Sequence, residues 1–126
     1  LGGEAILDCE TGLVWEKSPD PEITSRTWAE AIAYAYDNTV GGRKGWRLPT
    51  VEELASLVDT TQINPALPSG HPFTNVQTYY WSSTTHVNDT SNAWHVYFYK
   101  GGVGHDDKNS HYYVWCVRGG HGHDAP

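Results

Sequence analysis

Methionine is absent from the 126-residue chain and phenylalanine occurs only twice, so little of its apolar content is purely apolar. Six Trp and eight Tyr carry the aromatic character instead. Both residue types join a large ring to a polar tip and serve packing and contact alike. Basic residues are scarce too. Eight Lys and Arg stand against fifteen Asp and Glu, a formal net charge of -7, which argues against nucleic acid or an acidic polysaccharide as a partner held by bulk electrostatics. No apolar run reaches the ~18 residues of a membrane-spanning helix, so no direct membrane insertion is expected. The first residues do not read as a signal peptide. Leu1-Gly2-Gly3 does not read as a native start either, and the chain is expected to be a module of a longer protein. Gly-rich phosphate loops and a Gly-x-Ser-x-Gly nucleophile turn are missing. No enzymatic activity and no cofactor are therefore expected.

Cysteine is limited to Cys9 and Cys116, near opposite ends. They are either two buried free thiols or one disulfide tying the first strand to the last. Closing a loop of roughly 100 residues would stabilise the fold by up to about 4.7 kcal/mol in the chain-entropy view.

What is present reads as one domain over residues 1–119, followed by a flexible Gly-His tail at 120–126 that contains His121 and His123. Ala5-Ile6-Leu7-Asp8, a turn at Glu10-Thr11-Gly12 and Leu13-Val14-Trp15-Glu16 predict a hairpin, with Asp8 capping it. Thr27 and Glu30 have the spacing of a capping box. Trp28, Ala31, Ile32 and Ala35 then mark one buried helix face. Thr50 and Glu53 repeat that logic after Pro49, with Leu54, Leu57 and Val58 as the apolar face. Residues 60–73 hold three Pro and predict an irregular connection. Strands are predicted at Tyr79–Ser83, Ala93–Tyr99 and Tyr113–Arg118. The fold class is α+β, with an antiparallel sheet joining the two ends of the domain.

Between Thr78 and Tyr113 the chain is mostly Asn, Asp, His, Tyr, Ser and Thr. Rigid amphipathic rings beside adaptable hydrogen-bonding groups make up the chemistry of a paratope. Trp94, Val96 and Phe98 alternate with His95, Tyr97 and Tyr99. The alternation predicts a packed face of Trp94, Val96 and Phe98 (a scaffold with Trp81 and Trp115) and an exposed face of His95, Tyr97 and Tyr99. The candidate ligand-binding surface is His86, Asn88, Asp89, His95, Tyr97, Tyr99, His105, Asp107, Asn109, His111 and Tyr113. His105, Asp106, Asp107, Asn109 and His111 match neither a zinc signature nor an EF-hand loop, and they read as a solvated loop rather than a metal site. Arg47 reads as a structural ion pair or a clamp on loop carbonyls. Glu52 and Glu53 read as helix-start carboxylates.

Five motifs recur in order in one family: Asp8 with Thr11-Gly12-Leu13-Val14-Trp15; Thr27-Trp28-x-x-Ala31; Gly45-Trp46-Arg47-Leu48-Pro49-Thr50-x-x-Glu53-Leu54; Tyr80-Trp81-Ser82-Ser83-Thr84; and Val117-Arg118-Gly119. The chain resembles the bacterial domain first named from the C-terminus of a Legionella collagen-like adhesin. Its Trp-Arg-Leu-Pro-Thr helix start also resembles the formylglycine-generating-enzyme type of C-type lectin-like fold. The resemblance implies a C-type lectin-like fold and, from the adhesin, binding of sulfated glycans. That activity calls for Lys and Arg, and the corresponding segment offers only Lys100 and Lys108. The chain is also similar to variable proteins of diversity-generating retroelements. Those systems mutate adenines, often in Asn codons, which yields Tyr, His, Asp, Ser, Thr or Ile. Such residues crowd Thr78 to Tyr113, just before the closing segment Val114 to Gly119. The two resemblances together imply a binding domain, at the cell surface or secreted as part of a longer protein. It would bind a protein or glycan on another cell, phage or host. The alternative is an adhesin of fixed glycan specificity.

Overall fold

The computed structural model describes residues 5–19, 24–42 and 44–119. The first hairpin pairs β1 (Ala5–Leu7) with β2 (Leu13–Glu16), and β2 pairs on its other side with β6 (Val117–Gly119), all antiparallel. Asp8 closes the hairpin as expected: Gly12 N–H donates to its carbonyl at 2.8 Å and Glu10 N–H to its Oδ1 at 3.0 Å. Cys9 sits in this exposed turn rather than on the strand, whereas Cys116 is wholly buried beside β6. No disulfide joins the two, and only Cys116 is buried, which corrects the candidate disulfide and equally the pair of buried thiols. A turn position points its side chain to solvent, away from the sheet that buries Cys116.

Helix α1 (Trp28–Asp37) and helix α2 (Val51–Ala55) both begin with complete capping boxes, Thr27 with Glu30 and Thr50 with Glu53. Ala31 and Ala35 are buried on α1, but Ile32 is 37% exposed, so the buried stripe is narrower than the spacing predicts. Arg47 ties α2 to the terminal sheet. Its guanidinium donates to both Glu53 oxygens, at 2.8 and 2.9 Å, and to the Gly119 carbonyl at 3.0 Å. Burial pushes the Glu53 carboxyl up. The Arg47 hydrogen bonds and charge and the Thr50 N–H outweigh it, so the net shift is downward.

The second sheet has the order β3 (Tyr79–Thr85), β4 (Asn92–Tyr97), β5 (Gly102–Asp107). Among the described residues, two α-helices and two small antiparallel sheets make the α+β class. The sequence predicts loop where β5 lies. Its Gly-Val-Gly-His-Asp-Asp run has weak strand preference, and pairing with β4 imposes the conformation. Two apolar clusters flank the sheet. One joins α1 to Trp46, Leu48, Trp81, Ala93, Val114 and Cys116. The other joins α2 to Leu13, Trp15, Tyr80, Val96, Phe98, Trp115 and Val117. The stretch Val114-Trp115-Cys116-Val117 alternates between them, although only its last residue is in β6. Trp115 is the hub of the second cluster, with the rings of Phe73, Tyr80, Phe98 and Trp15 within 4.9–5.7 Å.

Candidate functional site

Pairing fixes which side chains share a face. His95 lies opposite Trp81 on β3 and Gly104 on β5, and Tyr97 lies opposite Tyr79 and Gly102. One face of the sheet therefore gathers Tyr79, Trp81, His95 and Tyr97, and Tyr112 joins them from the neighbouring segment. That segment is held by a reciprocal backbone pair with Arg26, at 2.7 and 3.0 Å. Four tyrosines form a continuous ladder. Tyr112 lies 5.0 Å from Tyr79, Tyr79 stacks on Tyr97 at 4.5 Å with 17° between planes, and Tyr97 stacks on Tyr99 at 5.9 Å and 26°. All four are half-buried. Tyr79 and Tyr97 each have a ladder ring on both sides, so these inner rings offer solvent edges and hydroxyls rather than open faces.

His95 forms the floor of the ladder. Expected on the exposed face, it is only 6% exposed, wedged among Tyr79, Trp81 and Tyr112. Its Nε2 bonds Asp106 Oδ2 at 3.1 Å, and the Tyr112 hydroxyl donates to the same oxygen. Nδ1 has no partner among the described residues, so the neutral ring carries its proton on Nε2. Burial pushes the imidazole below its ordinary value, against the pull of Asp106. The Tyr112 hydroxyl, ahead of the opposing burial and the bond from His95, lowers the Asp106 carboxyl. Burial, and then Asp106, raise Tyr112 far above an ordinary phenol. Gly104 makes the room: a Cβ there would sit 3.0 Å from His95 Cε1.

The burial of His95 has a physical cause. The alternation along β4 predicts one packed and one open face, but each face is covered over a different half. Ala93 packs under α1 and Val96 packs against the α2 cluster. Trp94, assigned to the scaffold, is accordingly only half-buried. It stands at the far end of the opposite face with His86 at 4.9 Å and His105 at 5.2 Å, and those two histidine rings are 4.1 Å apart. Asn92 Nδ2 meets His105 Nδ1 at 3.1 Å.

The expected surface residues thus divide. His95, Tyr97 and Tyr99 belong to the ladder. His86 and His105 form the second group, with exposed Asn88, Asp89 and Asp107 nearby in the β3–β4 turn and at the end of β5. Asn109 and His111 are exposed in the following turn, and Tyr113 packs half-buried against the second apolar cluster. Residues 120–126 lie outside the described residues. Sequence reading misses Tyr79, Asp106 and Tyr112. The period-2 pairing of Tyr79 and Trp81 across from Tyr97 and His95 could have found the first. Tyr112 and Asp106 needed the fold.

Lys108 places its ammonium 4.2 Å over the Trp28 ring, which leaves Lys100 as the more open of the two lysines. Clefts of about 370 and 320 Å³ lie beside Tyr36 and Trp46 and beside Leu67 and His71, and neither is lined by a ladder residue. The chain matches none of the curated proteins. The family described as "Lcl C-terminal domain" matches over residues 4–118. With the first hairpin, both capped helices, the Arg47–Glu53 pair and the second sheet all falling within that span, the chain belongs to the Lcl C-terminal domain family of Legionella collagen-like proteins.

Proposed function

We propose that the protein is a ligand-binding recognition domain of C-type lectin-like type whose contact surface centres on the tyrosine ladder. The carrying observation is the rigid stack of Tyr112, Tyr79, Tyr97 and Tyr99 over the His95–Asp106 pair. Tyrosines that are already ordered lose little conformational freedom on binding, and their hydroxyls and edges suit a polar, irregular partner. Family membership supports the broader adhesin-like reading. The scarcity of open cations and the mutual covering of the ring faces favour a protein ligand over an anionic or ring-stacked glycan. No chemistry is assigned to the site, and the domain acts at the cell surface or secreted within a longer protein.

The finer reading is that retroelement mutagenesis diversifies this surface. A near-copy of the DNA encoding Thr78 to Gly119, beside a reverse transcriptase gene, would establish it. Sibling chains that vary no more here than in the helices would rule it out. Recognition itself is tested by display against cell-surface protein and glycan libraries. Tyr97→Ala and Tyr99→Ala should abolish capture while leaving the melting temperature within a few degrees, and His95→Ala should unfold the domain at markedly lower temperature. Unchanged capture by both tyrosine variants would move the site elsewhere. A salt-sensitive hit confined to sulfated glycans would favour the fixed adhesin.

A further inference from the structure

The inner end of the tyrosine ladder hangs on one carboxylate. Asp106 Oδ2 accepts from both the Tyr112 hydroxyl and His95 Nε2, while the Asp106 side chain stays 47% exposed. The His95 ring beside it has the opposite setting. It stands edge-on to Tyr79 at 5.2 Å and against Tyr112 at 5.0 Å, and its Nδ1 is sealed from solvent with no partner among the described residues. The neutral ring suits this place, because Nδ1 then carries no proton. A second proton would go to Nδ1 and bury a charged donor without an acceptor, which folded proteins avoid. The titratable groups around the ring are Tyr79 of β3, Tyr112, Asp106 of β5 and, on the reverse of that strand, His105. Burial outweighs the pull of Asp106, the one of these groups that favours the charged ring. A way out exists on one side. β5 is the outer strand of its sheet, and Gly104 lies directly opposite His95 with no side chain to block the ring. Asp106 stands on the same face two residues on, so the ring can move toward water without leaving its carboxylate.

We infer that His95, Asp106 and Tyr112 form a proton-operated latch on the tyrosine ladder. With His95 neutral the latch is closed: the ring fills the floor and Asp106 holds Tyr112. In mildly acidic surroundings the protonated ring swings out over Gly104 and takes Asp106 with it. Tyr112 then loses its acceptor and Tyr79 loses the ring beneath it. The stack of Tyr79, Tyr97 and Tyr99 loosens while both apolar clusters stay packed. The consequence for binding, release of ligand on acidification, rests on the ladder being the contact surface.

Proton NMR of the aromatic rings, followed downward from pH 7.5, tests the latch without any ligand. Stacked rings shift one another's signals upfield. The Tyr79 and Tyr97 signals should therefore move toward free-tyrosine positions with the midpoint of the His95 Cε1–H titration. Those of Trp115 and Phe98 should stay in place. His95→Gln keeps an N–H for Asp106 but cannot titrate, so its ladder signals should hold over the same range. Asp106→Asn removes the charge that favours the protonated ring, so its midpoint should shift to lower pH. Ladder signals that stay constant through the His95 titration overturn the inference. So do ladder and Trp115 signals lost together, or a midpoint that neither variant changes. Should His95→Gln lose its circular dichroism signal, the Asp106→Asn midpoint decides the matter. If the ladder moves with His95 while capture of a protein selected by display ignores pH, the latch stands and the ladder is not the contact surface.

Discussion

Glu16 is a carboxylate with no access to solvent, a residue type almost never found so deep without partners. Cys116 N–H donates to its Oε1 at 2.7 Å and Asn38 Nδ2 to its Oε2 at 3.1 Å. Alanine at this position would strand both donors, each at a cost of about 1–3 kcal/mol. Glu16→Ala should therefore lose about 3 kcal/mol or more in urea denaturation, and Glu16→Gln less, because one acceptor survives. His95 makes a second residue-scale prediction. Its native value is depressed, so the unfolded chain takes up a proton first as pH falls. The stability it contributes is complete above its unfolded value of about 6.5 and is lost as pH drops toward the native one. Asp106 and Glu53, also depressed, add losses of the same sign in the carboxylate range below about pH 4.3. Unfolding free energy followed from pH 7.5 to 5 should fall more steeply for the natural chain than for His95→Gln. Parallel curves would show that His95 does not titrate as its burial requires.

Among the elements, the reverse turn into β5 is the most constrained. Gly101 has φ +94°, and a Cβ there would lie 2.7 Å from Val58 Cγ1. Gly101→Ala meets both a left-handed backbone and a clash with the α2 connection. It should cost about 2–3 kcal/mol by thermal denaturation, whereas Gly102→Ala, with open space around its Cβ, should cost under about 1. Both helix starts were legible in the sequence because capping is local: Thr27 with Glu30 and Thr50 with Glu53 need only three residues of spacing to be recognised. The first hairpin was legible for the same reason. Strand β5 was not, because nothing local in Gly-Val-Gly-His-Asp-Asp favours extension. His95 was misplaced because a two-residue period says that two faces differ, not which half of each is covered. Tyr97 and Tyr99 were readable as surface, since they lie beyond the reach of α1 on their face of the sheet.

At the scale of the molecule, the alternation of Val114, Trp115, Cys116 and Val117 between two apolar clusters makes one buried strip common to both. Neither cluster can open without exposing part of the other, so the domain should unfold in a single transition. Amide exchange at Trp115, Cys116 and Val117 should match the global unfolding free energy and be the slowest in the chain. Faster exchange there than in α1 would mean that the halves open separately. The tyrosine ladder is coupled in the same way. Each inner ring is the support of two neighbours, so altering Tyr97 reorients both Tyr79 and Tyr99. Positions joined in this way cannot be rewritten independently. Replacements at 79, 97 and 99 would have to be inherited as matched sets, and the number of workable surfaces is far smaller than the number of sequences that could encode them.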